Sequence, residues 1–293
     1  MGFDLVQAPS KICFGCEALG GTDWGDFDIS SVEEAVLKAV DCGVNFFDTA
    51  AVYGLGLSET RLSAILGPMR HHLCIATKGA MRWEQASSNT RANVFKDSSP
   101  QNLEKNVYDS LRRLKLDTLP IFYVHWPDKS TPYQKTFDAL NNLQEKQLIQ
   151  SIGVSNFNLA ELKQALSHAK IKYVQLPANI MEHAQLDSIS SLCLEKSINI
   201  IAYNVLYSGL LTGKFDGTEI FPENDRRSRL PFFQGEAFTK VVKKTVELKK
   251  FANTLGLALH EYAVSELLEN KSVSSTIIGI KDIKQLESFH RFF

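Results

Sequence analysis

Short apolar runs and amphipathic stretches alternate along almost the entire chain. The runs at 11–14, 44–47, 73–77, 121–125, 151–154, 173–176, 198–203 and 276–278 are rich in Val, Ile, Phe and Tyr, and each reads as a buried strand. Between them the period changes. Over 30–42, Val32, Ala35, Val36, Ala39 and Val40 recur at helical spacing behind a serine cap, with Gly43 as the stop. Helices are likewise predicted over 58–66, 100–114, 131–146, 159–169, 186–196 and 235–255.

Eight strands alternating with helices, apolar throughout rather than at every second position, argue for a parallel sheet covered on both faces. Closed on itself, that sheet is a (β/α)8 TIM barrel, α/β in class, with its active site at the carboxyl-terminal rim of the strands. An open doubly wound sheet is the alternative. The glycine-rich turn that follows an early strand, Gly54-Leu55-Gly56-Leu57-Ser58-Glu59, lacks the third glycine of the dinucleotide fingerprint. With no internal repeat, low-complexity tract or dividing linker, one domain over 1–293 is expected. Two connections are long, 79–99 and 216–234, and both fall on the expected rim, where long loops usually act as lids or ligand walls.

Charge narrows the function classes. The 32 basic and 33 acidic residues leave a net charge of −1, which gives no electrostatic case for nucleic acid or an anionic membrane surface. A small-molecule ligand fits better. The cysteines at 13, 16, 42, 74 and 193 are odd in number and scattered, as in a reducing compartment. Cys13-Phe14-Gly15-Cys16 continues a strand and has no second ligand pair, so it reads as two small apolar residues rather than a zinc or redox motif. The first residues carry no apolar signal core, Val6 stands where a myristoylation pattern needs Ser or Thr, and no run has membrane-spanning length. A soluble, cytoplasmic protein without a metal site is expected.

The strand ends carry the candidate chemistry. Asp48 closes one apolar run and Tyr53 follows it in Asp48-Thr49-Ala50-Ala51-Val52-Tyr53-Gly54; Lys78 closes Ala76-Thr77-Lys78, and His125 opens His125-Trp126-Pro127-Asp128. In a parallel barrel these titratable side chains converge on one rim. Convergence of that kind marks an active site.

Six such boxes, in order, give the chain a family. Besides those three, Ile152-Gly153-Val154-Ser155-Asn156-Phe157, Val174-Gln175 and the run from Tyr203 to Lys214 make it resemble the aldo-keto reductases over nearly its whole length. The resemblance implies carbonyl reduction with a nicotinamide cofactor. Hydride addition leaves negative charge on oxygen, so a proton donor is needed. Tyr53 is that acid, Lys78 is expected to lower its pKa, Asp48 to hold Lys78 charged, and His125 to orient the carbonyl. The resemblance also implies that Ser155, Asn156 and Gln175 grip the carboxamide, that Tyr203 stacks on the ring, and that Leu206, Ser208, Gly209 and Leu210 offer backbone N–H groups to the pyrophosphate, with Lys214 adding charge.

The basic run Arg226-Arg227-Ser228-Arg229 is expected to meet phosphates when the 216–234 loop closes. In the last segment, from Gly279, Lys281 and Lys284 favour NADPH over NADH, although Gln285 stands where some members carry a phosphate-binding arginine. Other departures are Asn204-Val205 for a frequent Ser-Pro, Pro177-Ala178 for an acidic-aromatic pair, and Ser288-Phe289 for a Glu-Asn pair near the adenine. Many members also continue into a carboxyl-terminal tail that walls the substrate pocket. Trp24, Trp83, Trp126 and Phe95 are candidate aromatic walls for a sugar or aryl aldehyde. The competing readings are a sugar dehydrogenase working in the oxidative direction, a non-catalytic channel-associated subunit of the same fold, and a phosphate-handling barrel isomerase. The channel subunits carry Asn where this chain has His125, and the isomerase lacks the Tyr-Lys-Asp set.

Overall fold

The computed structural model describes residues 8–84 and 92–293; residues 1–7, read above for targeting signals, and 85–91 of the first long connection, with the rest of the sequence reading that falls there, lie outside it. In chain order the strands are β1 (Ile12–Gly15), β2 (Phe46–Asp48), β3 (Cys74–Gly79), β4 (Met81–Glu84), β5 (Asn93–Lys96), β6 (Leu119–Val124), β7 (Ile149–Ser155), β8 (Ile171–Pro177), β9 (Asn199–Tyr203) and β10 (Val273–Gly279). All but β4 and β5 pair in parallel as a closed barrel in the order β1-β10-β9-β8-β7-β6-β3-β2. The fold is the (β/α)8 barrel read from the sequence.

The helices are α1 (Ile29–Asp41), α2 (Leu57–Leu66), α3 (Pro100–Leu114), α4 (Tyr133–Glu145), α5 (Leu159–Leu166), α6 (Ala184–Glu195), α7 (Gly235–Thr254), α8 (Leu259–Glu269) and α9 (Ile283–Glu287). Their apolar stripes and the outward faces of the strands form one continuous shell, in which Val32, Ala35 and Val36 of α1 are fully buried. The cap of α1 is Asp28, whose carboxylate accepts from the Ser30 N–H at 3.0 Å, rather than a serine. Inside the barrel Cys13, Phe46, Cys74, Ala76, Ile121, Tyr123, Tyr173 and Ile201 pack on one another. The thiols of Cys13 and Cys16 are buried, and burial first, then the charge of Asp48, pushes their pKa well up, as expected of inert core residues.

Two elements differ from the expectation. The 79–99 connection contains an antiparallel hairpin of β4 with β5, paired from Met81 against Lys96 to Glu84 against Asn93. The βα unit of β9, the seventh of the barrel, carries two helices, α7 and α8, because the chain breaks at Gly256 (φ +70) and restarts with Glu261 capping the Ala258 N–H at 2.8 Å. Among the described residues no helix is long and apolar enough to cross a membrane.

The strand exits place the site. Asp48 ends β2, Lys78 is the penultimate residue of β3, and His125 follows β6 with its N–H bonded to the Gly79 carbonyl at 3.2 Å. Beyond β2 the chain remains stitched to β3, with Thr49 N–H on Ala76 O at 2.9 Å and Ala51 N–H on Lys78 O at 3.2 Å, before the 3-10 helix Tyr53–Gly56. That helix sits backbone to backbone on another, Glu17–Gly20, where Gly20 meets Gly54. Only glycine permits such an approach.

Candidate active site

Lys78 lies at the centre, almost fully buried. Its Nζ donates to Asp48 Oδ1 at 2.5 Å, to the Thr49 carbonyl at 2.9 Å and to Tyr53 Oη at 3.4 Å, so its three protons all have partners. Asp48 is equally committed, since its Oδ2 accepts from Gln175 Nε2 at 2.8 Å. Buried ion pairs of this kind add little net stability intact, but losing one partner costs about 3–5 kcal/mol because the other charge is stranded. The His125 ring meets the Tyr53 ring edge-on at 6.1 Å. The structure thus brings Asp48, Tyr53, Lys78 and His125 together at one rim.

The electrostatics correct one expectation. The Tyr53 pKa is pushed well above the ordinary phenol value, first by burial and then by the charges of Glu17 and Asp48; Arg226 is the cation that opposes the rise. Burial and the two carboxylates outweigh the nearby cations at rest. Tyr53 is therefore held protonated. For His125, burial and then the Lys78 charge push the pKa well below its ordinary value, so the imidazole is neutral near pH 7. Its Nδ1 is buried and has no hydrogen-bond partner among the described residues. Behind it, burial raises the pKa of Asp128, but hydrogen bonds from Ser130, Ser98 and Thr131 outweigh that and bring it to about 2, tying the loop after β6 to the end of the hairpin segment.

Ser155 ends β7 and Asn156 follows it. Asn156, at φ +64, donates from Nδ2 to the His125 carbonyl and to Ser155 Oγ, both at 3.0 Å, and its Oδ1 accepts from Tyr203 Oη at 2.7 Å. Tyr203 ends β9, and burial pushes its pKa to about 12. The Asn156 N–H donates to the Gln175 carbonyl at 3.0 Å, which places this set next to the residue that holds Asp48. The loop after β9 behaves differently from the expectation. The N–H groups of Tyr207, Ser208 and Gly209 are taken by Asn204 O, Asn204 Oδ1 and Leu206 O at 2.9, 3.0 and 2.9 Å. A run of positive φ at 207–209 (50, 54 and 97°) winds the loop around Asn204, the residue that departs from Ser-Pro, while Leu206 packs against the shell and Leu210 is buried under the loop.

The arginines are also placed differently. Each is paired with a carboxylate: Arg226 with Glu17 at 3.1 Å, Arg229 with Asp23 at 2.8 Å, and Arg227 with the buried Asp225. The 216–234 loop lies across the exit of β1, joined also by Arg226 N–H to Asp23 O at 2.9 Å and Asn224 Nδ2 to Asp26 Oδ1 at 2.9 Å. Glu17, which sequence reasoning missed, has no motif signal; it is found by its neighbours.

A second group of cations lies between the exits of β9 and β10. Burial and then Arg227 lower the Lys214 pKa; burial, Arg227 and, more weakly, Lys214 bring that of Lys281 to about 8. Lys281 Nζ donates to the Trp24 carbonyl at 2.7 Å and lies between the rings of Trp24 and Phe27, 5.7 and 4.8 Å from their centroids. Gly279 ends β10 with open space around it. Gln285 is exposed and serves the start of α9, accepting from the Lys281 N–H and donating to Asp282, both at 3.0 Å. Lys284 is exposed, and Phe289 is buried against His260. Of the aromatic candidates, Trp24 is occupied by Arg226 and Lys281, while Trp126 and Phe95 are exposed beneath Lys96 and Arg82.

Comparison with known proteins identifies the family and agrees with the fold. Residues 11–293 match the model of the Aldo/keto reductase family. The chain is 30% identical to the aldo-keto reductase YhdN of Bacillus subtilis, over 95% of this chain and 83% of that protein. It is 27% identical to the NADH-specific methylglyoxal reductase of Escherichia coli, over 92% and 85%. Among solved structures, the glycerol dehydrogenase AKR11B4 of Gluconobacter oxydans superposes with a TM-score of 0.89 at 31% identity, covering 98% of this chain and 88% of that one. The chain belongs to the aldo/keto reductase family, and is an NAD(P)H-dependent oxidoreductase.

Proposed function

We propose that the protein reduces an aldehyde or ketone to the alcohol with NADPH, Tyr53 giving its proton to the carbonyl oxygen while His125 donates a hydrogen bond to the same atom. The observation that carries this reading is the contact chain Asp48–Lys78–Tyr53, at 2.5 and 3.4 Å, with His125 against the Tyr53 ring. Bound nicotinamide cofactor supplies the hydride. Its fit rests on Lys214, Arg227 and Lys281, cations close enough that Arg227 lowers the proton affinity of both lysines, with one buried carboxylate, Asp225, among them. Such excess charge suits phosphate groups. In this reading Ser155, Asn156 and Gln175 would hold the carboxamide and Tyr203 would stack on its ring.

A phenol held protonated is in the correct state to act as acid. As charge grows on the carbonyl oxygen, the Tyr53 proton moves toward it, and the phenolate left behind faces the Lys78 ammonium. A neutral imidazole has one N–H; we assign it to Nε2, because an unfilled acceptor at the buried Nδ1 costs less than an unpaired donor.

The relation to a glycerol dehydrogenase favours a second reading, oxidation of the alcohol. That direction needs Tyr53 as phenolate, which a raised pKa makes scarce at neutral pH; reduction should dominate near pH 7 and oxidation should gain about tenfold per pH unit. Turnover of NADPH with a panel of aldehydes and ketones tests the proposal. Tyr53→Phe is expected to lower kcat at least about a hundredfold with cofactor affinity nearly unchanged. A variant that kept most of its turnover would refute the assignment. Cofactor binding without any turnover would favour the channel-subunit reading.

A further inference from the structure

Glu17 takes no part in the proton transfer, yet it stands on the same rim. It opens the 3-10 helix Glu17–Gly20 directly after the exit of β1. Its predecessor Cys16 is held on both sides, the N–H donating to the Asp48 carbonyl at 2.8 Å and the carbonyl accepting from Ser58 Oγ at 2.7 Å. At the other end, a Cβ on Gly20 would fall 2.9 Å from the Tyr53 carbonyl carbon and 2.8 Å from the Gly54 nitrogen. The segment that carries Glu17 is thus fixed at both ends to the segments that carry Asp48 and Tyr53.

The carboxylate is only partly engaged. One nitrogen of Arg226, Nη1, reaches both oxygens at 3.1 and 3.3 Å, an end-on contact that leaves lone pairs on each. The side chain is one-third exposed (33%), while Arg226 spreads over the Trp24 ring at 5.3 Å. The Glu17 charge acts on the Tyr53 phenol more strongly than that of Asp48, and it also acts on Tyr203.

Resting on the carbonyl-reductase reading, we propose that Glu17 selects the substrate: its carboxylate accepts a hydrogen bond from a hydroxyl beside the carbonyl, so the preferred substrates are short, uncharged hydroxy-aldehydes and hydroxy-ketones of the small-sugar class. An ionised carboxylate is an acceptor only, so its complement must be a donor. A hydroxyl meets that need without bringing charge. A plain alkyl chain strips water from the carboxylate and returns nothing, and a 2-oxo acid brings a second negative charge. Arg226 does not reverse this preference, because its own charge is already met by Glu17.

The test is a ratio. kcat/KM is measured with NADPH for glyceraldehyde, propanal and glyoxylate in the wild type, Glu17→Leu, Glu17→Gln and Arg226→Gln, after melting curves show each variant folded. A hydrogen bond to a charged group corresponds to a preference of about ten- to a hundredfold for glyceraldehyde over propanal in the wild type. Glu17→Leu should cut that ratio at least about tenfold, mainly through KM, and Glu17→Gln, which keeps an acceptor without charge, should retain part of it while raising the relative rate on glyoxylate. Arg226→Gln should leave the glyceraldehyde-to-propanal ratio within about threefold. A ratio unmoved in Glu17→Leu overturns the proposal, as does a ratio lost equally in Arg226→Gln, which would assign the pair to holding the loop. Absence of turnover on every aldehyde, aryl aldehydes included, would instead remove the carbonyl-reductase reading itself.

Discussion

Binding of NADPH should weaken as pH rises through the Lys281 range. In the free protein the Lys281 pKa is brought to about 8 by burial, by Arg227 and by Lys214. A phosphate placed beside it restores the charged form and lifts the pKa back toward the ordinary lysine value of about 10.4. Binding is then linked to proton uptake. The affinity falls by the factor 1 + 10^(pH − 8), which is about 1.1 at pH 7 and about 11 at pH 9, so Kd should rise about tenfold between them. Calorimetric titration in two buffers of different ionisation heat should show about 0.1 proton taken up at pH 7, half a proton at pH 8 and about 0.9 at pH 9. Lys281→Met should weaken NADPH more than NADH and flatten the dependence, because the titrating ammonium is gone. An affinity constant from pH 7 to 9, or a decline that survives in the variant, would show that Lys281 does not meet the cofactor.

Three further outcomes are expected. Gly54→Ala meets both a positive φ of 58° and a Cβ 2.2 Å from the Gly20 carbonyl oxygen, whereas Gly43→Ala at φ +89 has nothing within 4 Å; the first should melt lower by more than the φ term alone, about 1–2 kcal/mol, and equal melting shifts would contradict the close approach. Tyr123→Phe removes a buried hydroxyl with no partner among the described residues and should raise stability by about 1–3 kcal/mol in a dry barrel interior; a lower melting temperature would mean that the hydroxyl is hydrogen-bonded through water. Amide exchange over 216–234 should slow when NADPH is added, and identical exchange in both states would reject a lid.

The barrel was legible because strands buried on both faces are continuous apolar runs, and because Asp48, Lys78 and His125 each stand at the exit of one of them. The β4–β5 hairpin was not, since both strands are largely exposed, as at Asn93 to Lys96, and offer no buried pattern. The helix over 235–255 matches α7, but α8, which restarts after the break at Gly256, was not read. The misreading of the arginines has another cause. Glu17 and Asp23 lie 209 and 206 positions from Arg226 and Arg229, and nothing local to Arg226-Arg227-Ser228-Arg229 announces such partners. The lowered Tyr53 pKa failed for the same reason, as proximity to Lys78 was readable while burial of the phenol, and the presence of Glu17, were matters of packing.

The stitching of the 216–234 loop to the exit of β1 has a topological consequence. β1 and β10 are the two ends of the barrel's strand sequence, and the bonds Arg226–Glu17, Arg229–Asp23 and Lys281–Trp24 cross that seam over separations of 209, 206 and 257 residues. They act as a clasp on a bracelet. Contacts of such separation carry a large loop-closure entropy unless the chain between them is already folded. Asp48, Lys78 and His125 belong to the first half of the chain and can assemble early, whereas Lys214, Arg227 and Lys281 gather only as the ring shuts. A barrel caught before its clasp fastens would therefore hold its proton-transfer groups without the cations gathered beside them, and synthesis would deliver the chemistry of this protein in two instalments.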